Sequence, residues 1–277
     1  MKYFIDTEFL EGTQTKRFLG IPFGKTPPTI DLISIGIVSE DGREYYAISK
    51  DFNLDEAWNR FDLKTMTNLK GDSDTNKMKV FWIRENVLKP IFEELAKKEG
   101  VEGDKSVVNI FFKYSKKELR RLINKYGKSR EQIAEEIKEF IYKPYGKPNS
   151  INHIFNEVLL KENPINFYGY YSDYDHVALC WLFGKMIDLP TGFPMYTIDL
   201  KQELDRKVNN LSNLELDNLC QTIRNHPKEI FPNELTLSSK LYHLKQYCKD
   251  YPKQTNEHNA LADARWNKKL YEFLQTI

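Results

Sequence analysis

The chain has little of what holds small secreted or membrane-embedded proteins together. Its 277 residues contain three cysteines, Cys180, Cys220 and Cys248. The number is odd and no two lie close in sequence, which argues against a disulfide framework or a zinc knuckle and for reduced thiols in a cytoplasmic chain. No apolar run approaches the ~20 residues of a membrane-spanning helix. Charge arrives at Lys2 and Asp6, too early for a secretory signal peptide. No membrane association is expected. Nor is there an excess of charge of one sign: 41 basic and 40 acidic side chains leave a net +1. That excludes coating nucleic acid by bulk charge, but not a local basic groove. Repeats and low-complexity stretches are missing too, so collagen and coiled-coil architectures are excluded. What is present is an ordinary globular mixture, 40% apolar and 29% charged. The length would allow two domains at about 150 residues each. With no linker between two cores, a single elaborated α/β domain over 1–277 is expected.

Lys2–Ile5 is a short apolar run that ends at an acidic pair and reads as a buried strand. Ile30–Val38 is rich in β-branched residues, and Asp41-Gly42 then separates it from Glu44–Ile48, a hairpin signal. Residues 11–29 hold three glycines and three prolines and read as a long loop. A helix is expected over 84–98. Ser115-x-x-Glu118 and Ser129-x-x-Gln132 fit capping boxes that open two more. Residues 143–164 read as an irregular connection and Ile165–Tyr171 as a central strand. A helix over about 175–186, a last strand over 195–200 and a final helix over about 260–274 complete the order β-β-β-α-β-α-β-α, with helices inserted near 97–164.

Three acidic constellations carry the chemistry. Asp6 and Glu8 alternate along a strand and so share a face, about 6.5–7 Å apart. Two buried carboxylates side by side are costly unless a cation lies between them, and hard divalent ions prefer oxygen ligands. The plainer alternative is two acids reaching solvent at a strand end. Asp175, after Tyr174, opens a helix, where a carboxylate also simply complements the helix dipole; Asp173 competes for any acidic role. His258 and Asp263 are five residues apart, about 140° around a helix. They converge only if His258 lies on the preceding loop and Asp263 in the first turn.

Together, Asp6-Thr7-Glu8, Tyr174-Asp175 and His258-Asn259-Ala260-Leu261-Ala262-Asp263 resemble the DEDD superfamily of 3'-5' exonucleases, in its subgroup with a histidine. Phe4–Phe9, Ile30–Gly36, Trp82–Val87, Tyr174–Leu179, Pro194–Tyr196 and His258–Arg265 are similar to the bacterial branch typified by a polyadenylate-preferring exoribonuclease. The resemblance implies an RNase H-like fold: a mixed five-stranded sheet flanked by helices, with Asp6 and Glu8 on the central strand. About 97–126, 143–164 and 204–239 fall outside it and count as insertions. It also implies a 3'-5' exoribonuclease releasing nucleoside 5'-monophosphates from single-stranded RNA, with two Mg²⁺ or Mn²⁺ ions held by Asp6, Glu8, Asp175 and Asp263. His258 would be the general base. Phe9 and Leu10 would contact the terminal nucleotides, although Phe9 serves equally as core. A homodimer is a further implication.

Residues 113–130 carry eight basic side chains against one acidic. Lys116, Lys117, Arg120 and Arg121 are the candidate phosphate track; the alternative is a solvated helix face. Ile110, Phe111, Phe112 and Tyr114 are the candidate dimer surface, unless they pack on their own domain. A 3'-5' DNA exonuclease and a non-catalytic nucleic-acid binding module remain as other functions. An aspartic protease is disfavoured, because Glu8 stands where that family has glycine.

Overall fold

Lys2–Gly12 (β1) alternates large apolar side chains between two faces, and both faces are covered. The computed structural model describes residues 1–19, 21–66, 76–99, 113–146, 153–220 and 235–277. Two short pieces follow β1, Thr15–Phe18 (β2) and Ile21–Lys25 (β3), and then Thr29–Ser39 (β4) and Glu44–Ile48 (β5). β4 runs antiparallel to β1 with Asp6 opposite Gly36, and β5 runs antiparallel to β4. The β4–β5 connection turns at Gly42, whose φ of 87° is one that glycine adopts without a steric cost. Asn166–Gly169 (β8) and Ile198–Asp199 (β9) add in parallel on the other side of β1. The sheet order is β5-β4-β1-β8-β9, so β1 is central, and the mixed five-stranded sheet with flanking helices is an RNase H-like arrangement.

Among the described residues the α-helices are Leu54–Asn59 (α1), Lys89–Lys98 (α2), Lys116–Tyr126 (α3), Arg130–Tyr142 (α4), His153–Glu162 (α5), Asp173–Phe183 (α6), Leu200–Asn210 (α7), Asn213–Cys220 (α8), Leu237–Tyr247 (α9) and Ala260–Leu274 (α10). On one face Tyr3, Ile5, Ile35 and Ile37 pack with Ile133, Ile137 and Ile141 of α4 and Ala178 and Leu179 of α6. On the other, Phe4 and Val38 pack with Leu200 and Leu204 of α7 and Ala264 and Leu270 of α10. Each buried Ile, Leu, Val or Phe among them contributes roughly 1.5–3 kcal/mol, which fixes the strand register. A third cluster joins Leu10 and Ile33 to α1, α2 and α3.

Several local expectations change. The loop expected over 11–29 is instead the end of β1 followed by the β2–β3 hairpin. Thr15, Phe18, Ile21 and Phe23 are strand formers, and Pro22 is tolerated because the hairpin has free edges. A second hairpin, Asp62–Met66 (β6) with Asn76–Val80 (β7), has no counterpart in the sequence reading. The helix over 84–98 begins as a π-turn, Arg84–Leu88, in which the Lys89 N–H bonds Arg84 O. Pro90 has no N–H to offer the carbonyl four residues back, and the wider turn relieves that loss. Residues 143–164 are not wholly irregular, since Lys143–Tyr145 is a 3₁₀ turn and α5 follows. Of the strand expected over 195–200, only Ile198–Asp199 pairs. The Ser129 capping box forms in full, while at Ser115 the hydroxyl caps the Glu118 N–H. No helix among the described residues is long and apolar enough to cross a membrane.

Candidate active site

Asp6 and Glu8 project from β1 just before the strand bulges between Glu8 and Phe9. Asp175 reaches them from α6. The Tyr171 φ of 56° and the tight seat of Gly169, where a Cβ would stand 2.8 Å from Ser172 Cβ, turn the chain sharply from β8 into this helix. Asp175 is then clamped to β1. Its Oδ1 accepts the Thr7 N–H at 2.8 Å and the Thr7 hydroxyl at 2.5 Å. Asp173, two residues earlier, is exposed on the first turn of α6.

His258 and Asp263 come together at the start of α10. Asn256 and His258 have φ values of 57° and 65°, so the chain coils left-handed just before Asn259 caps the helix through the Ala262 N–H. This removes His258 from the helical path and reconciles the five-residue spacing. The His258 N–H donates to Asp263 Oδ2 at 2.9 Å, and the Gln254 amide donates to Asp263 Oδ1 at 2.6 Å. The His258 ring meets Trp82 edge-on at 4.7 Å. Asn267, one turn further along α10, donates to Ile5 O at 2.8 Å and ties the helix to β1.

That approach depends on Gly36, the partner of Asp6. A Cβ there would stand 2.3 Å from Ala260 O. Gly36→Ala is therefore expected to push the first turn of α10 off the sheet. It should lower the melting temperature by about 4–10 °C, the effect of ~1–3 kcal/mol of overpacking. Any activity that needs His258 and Asp263 near Asp6 should fall about 100-fold. A variant with both quantities unchanged would show that the close seat has no role.

Asp6, Glu8, Asp175, His258 and Asp263 all line one open cleft of about 750 Å³, together with Phe9, Arg60, Trp82, Tyr170, Gln254 and Trp266. Oxygens of Asp6, Glu8 and Asp263 lie within 4.8 Å of one another. Burial, and then repulsion from Asp175, Glu8 and Asp263, hold the Asp6 carboxyl well above the usual range. Burial and repulsion from Asp263 and Asp175 push Glu8 up to about 8. Burial raises Asp175 to about 7 against the opposing hydrogen bonds from Thr7, and burial also raises Asp263. Every charge acting on Asp6 is another carboxylate. An all-oxygen donor set of this kind suits a hard divalent cation.

The other candidates separate. Phe9 lines the cleft and packs edge-on against Tyr174 at 5.5 Å. Leu10 is fully buried in the third core cluster and is not among the residues that line the cleft. The basic helix α3 lies off the cleft. Lys116 and Arg120 pair with Asp55, and Arg121 pairs with Glu99 and Glu118. Lys117 is exposed on the same helix. Tyr114 packs against Trp58 and Phe92 of its own chain, and residues 110–112 lie outside the described residues. Gln254 and Asn267 are site residues that no short motif announces, and Thr7 and Trp82, though inside quoted motifs, were given no role there; their partners are far away in sequence or in loops.

A family model described as 3'-5' exoribonuclease Rv2179c-like domain matches residues 1–275. The chain is similar to the 3'-5' exoribonuclease Rv2179c of Mycobacterium tuberculosis (strain ATCC 25618 / H37Rv), with 27% identity over 202 residues, 73% of each chain. The same figures hold for the 3'-5' exoribonuclease MT2234.1 of Mycobacterium tuberculosis (strain CDC 1551 / Oshkosh).

Proposed function

The chain belongs to the 3'-5' exoribonuclease Rv2179c-like family, and from that premise we propose that it hydrolyses single-stranded RNA stepwise from the 3' end to nucleoside 5'-monophosphates, with two Mg²⁺ or Mn²⁺ ions as cofactors. The observation that carries this reading is the meeting of Asp6, Glu8 and Asp263 oxygens within 4.8 Å, in a cleft that Asp175 and His258 also line. Asp6, Glu8 and Asp263 would hold one ion, and Asp6 and Asp175 the other. When bound, such ions supply positive charge at the reacting phosphate and lower the pKa of the attacking water.

The protein's own groups have distinct tasks. His258 accepts the proton of the attacking water as general base. Its imidazole is steadied by Trp82, and its backbone by Asp263. Thr7 fixes one carboxylate and Gln254 another, so neither has to be oriented during the reaction. Phe9, Trp82 and Tyr170 offer ring surfaces on which the terminal bases can stack. RNA is preferred over DNA in this reading because both relatives are named exoribonucleases. The test uses 5'-labelled single-stranded RNA and DNA of equal sequence with Mg²⁺, Mn²⁺ or EDTA. The expected result is a ladder of RNA products shortened one nucleotide at a time, absent in EDTA. A single internal cut, or shortening of DNA alone, would overturn the reading.

The raised carboxyls also give a stability prediction without divalent ions. Unfolded, these groups release protons near their ordinary values around 4. Folded, Asp175 and Glu8 hold theirs to about 7 and about 8. The folded state thus binds more protons between about pH 4 and pH 8, and stability falls as pH rises through that interval. Melting in EDTA should be about 5–10 °C lower at pH 8 than at pH 5.5, the effect of a few kcal/mol. Mn²⁺ should restore it, more at pH 8 than at pH 5.5. Melting temperatures equal at the two pH values, or Mn²⁺ effects that do not depend on pH, would contradict it.

A further inference from the structure

A strand longer than its last few nucleotides needs somewhere to lay its phosphates, and α3 offers little, because three of its four candidate cations are paired with acids of the same chain. The cleft has two ends. One is bounded by Glu11, Asp62 and Arg60, and Arg60 is already paired with Glu56. A polyanion leaving that way meets carboxylates first.

The other end opens over Trp266. This residue is a wall of the cleft and of a small adjoining pocket, which also contains Lys253 and Lys269. The same two lysines, with Lys249, line a third, wider pocket beyond it. The three depressions therefore lie in a row, each sharing wall residues with the next, and together they make up a groove. Its floor is a single face of α10, from Ala262 past Trp266 and Lys269 to Phe273 and Thr276. From Ala262 to the end of the helix at Leu274 the face spans about 18 Å. The groove starts beside Asp263, in the first turn of the same helix, so its direction is set by the helix that carries one of the cleft carboxylates. Lys249, Lys253 and Lys269 are exposed, and none is in an ion pair among the described residues. Asp250 and Glu272 also border the wide pocket, so three cations face two anions there. Arg265 adds charge along the way but is bound to Glu44.

We propose that this groove is the track for the phosphate backbone of single-stranded nucleic acid, holding the nucleotides on the 5' side of the end that sits in the cleft. The proposal rests on reading the cleft as a 3'-5' exonuclease site. Three lysine contacts are worth about 0.7 each in the slope of log affinity against log salt. They engage only strands long enough to pass Trp266. A dinucleotide stays in the cleft and does not reach them.

The experiment compares wild-type protein with Lys249→Gln/Lys253→Gln/Lys269→Gln, and with Lys116→Gln/Lys117→Gln/Arg121→Gln as the control. Affinity for a 5'-fluorescent 12-nucleotide uridine strand is read in EDTA by anisotropy across salt, so no hydrolysis intervenes. The groove variant should lose about 2 from the salt slope and bind roughly 10- to 100-fold more weakly at 0.1 M salt. Single variants should each lose about 0.7. Cleavage of a dinucleotide should keep its kcat/KM, while KM for the 12-mer rises. An unchanged slope in the groove variants, or a loss of slope confined to the α3 variant, would overturn the proposal. If wild-type protein shortens no strand with any cation, the nuclease reading fails by itself, and the salt slope in EDTA still decides the groove.

Discussion

Asp6→Asn is expected to lower the rate of RNA hydrolysis by at least ~10³-fold while leaving the fold intact. The side chain is nearly isosteric, so the packing of β1 between its neighbours does not change. What changes is charge at the centre of the cluster. Burial and three neighbouring carboxylates bear on Asp6, and in the proposed arrangement it is the group shared by both ion sites. An amide removes one negative charge and one strong oxygen donor from each. Removing a single preorganised electrostatic contact costs about 10²–10³ in other enzymes, and here two sites lose one together. The substitution should also raise the melting temperature in EDTA, because repulsion is relieved, and reduce the stabilisation by Mn²⁺. The paired readouts are decisive: lost activity with an unchanged Mn²⁺ response would place the defect outside the ion sites.

His258→Ala is expected to cost about 10²–10⁴-fold in rate, the usual contribution of a general base. The imidazole is not among the oxygens that approach one another within 4.8 Å, so Mn²⁺ affinity measured by calorimetry should change little. The backbone N–H of residue 258 still donates to Asp263 in the alanine variant, which keeps that carboxylate in place. The left-handed φ at this position makes Gly a second useful replacement, since it relieves strain that alanine would retain. Similar losses in both variants would assign the effect to the ring. A large fall in Mn²⁺ affinity would make His258 a ligand instead.

The parts of this site that were legible in the sequence are those whose meaning is local. Asp6 and Glu8 share a strand face because strands alternate, and the loop-then-helix condition for His258 and Asp263 follows from helical geometry alone. The apolar residues of β1 made it legible as a buried strand, and its central place followed from the family resemblance. What stayed hidden depends on partners remote in the chain. Thr7 and Asp175 are 168 residues apart, and only the sheet brings them together. Gly36 gives no local sign that a helix more than 200 residues later will rest on it. The basic run at 113–130 drew notice because its charges are consecutive. Its neutralising acids, Asp55 and Glu99, lie outside the run. Lys249, Lys253 and Lys269 are the converse, three scattered residues that a loop and one helix face assemble. The hairpin of 15–18 with 21–25 stayed hidden for another reason: glycine and proline dominated the count over 11–29 and concealed the strand formers between them.

The central claim is that Asp6, Glu8, Asp175 and Asp263 form a divalent-cation site, and the anomalous scattering of Mn²⁺ in crystals of the protein tests it most directly. Two peaks are expected in the cleft. One should be bounded by Asp6, Glu8 and Asp263 and the other by Asp6 and Asp175, each with carboxylate oxygens at about 2.1 Å, close to the Mg²⁺ distance. Crystals saturated with Mn²⁺ that show no peak against Asp6, or peaks only at acids outside the cleft, would contradict it.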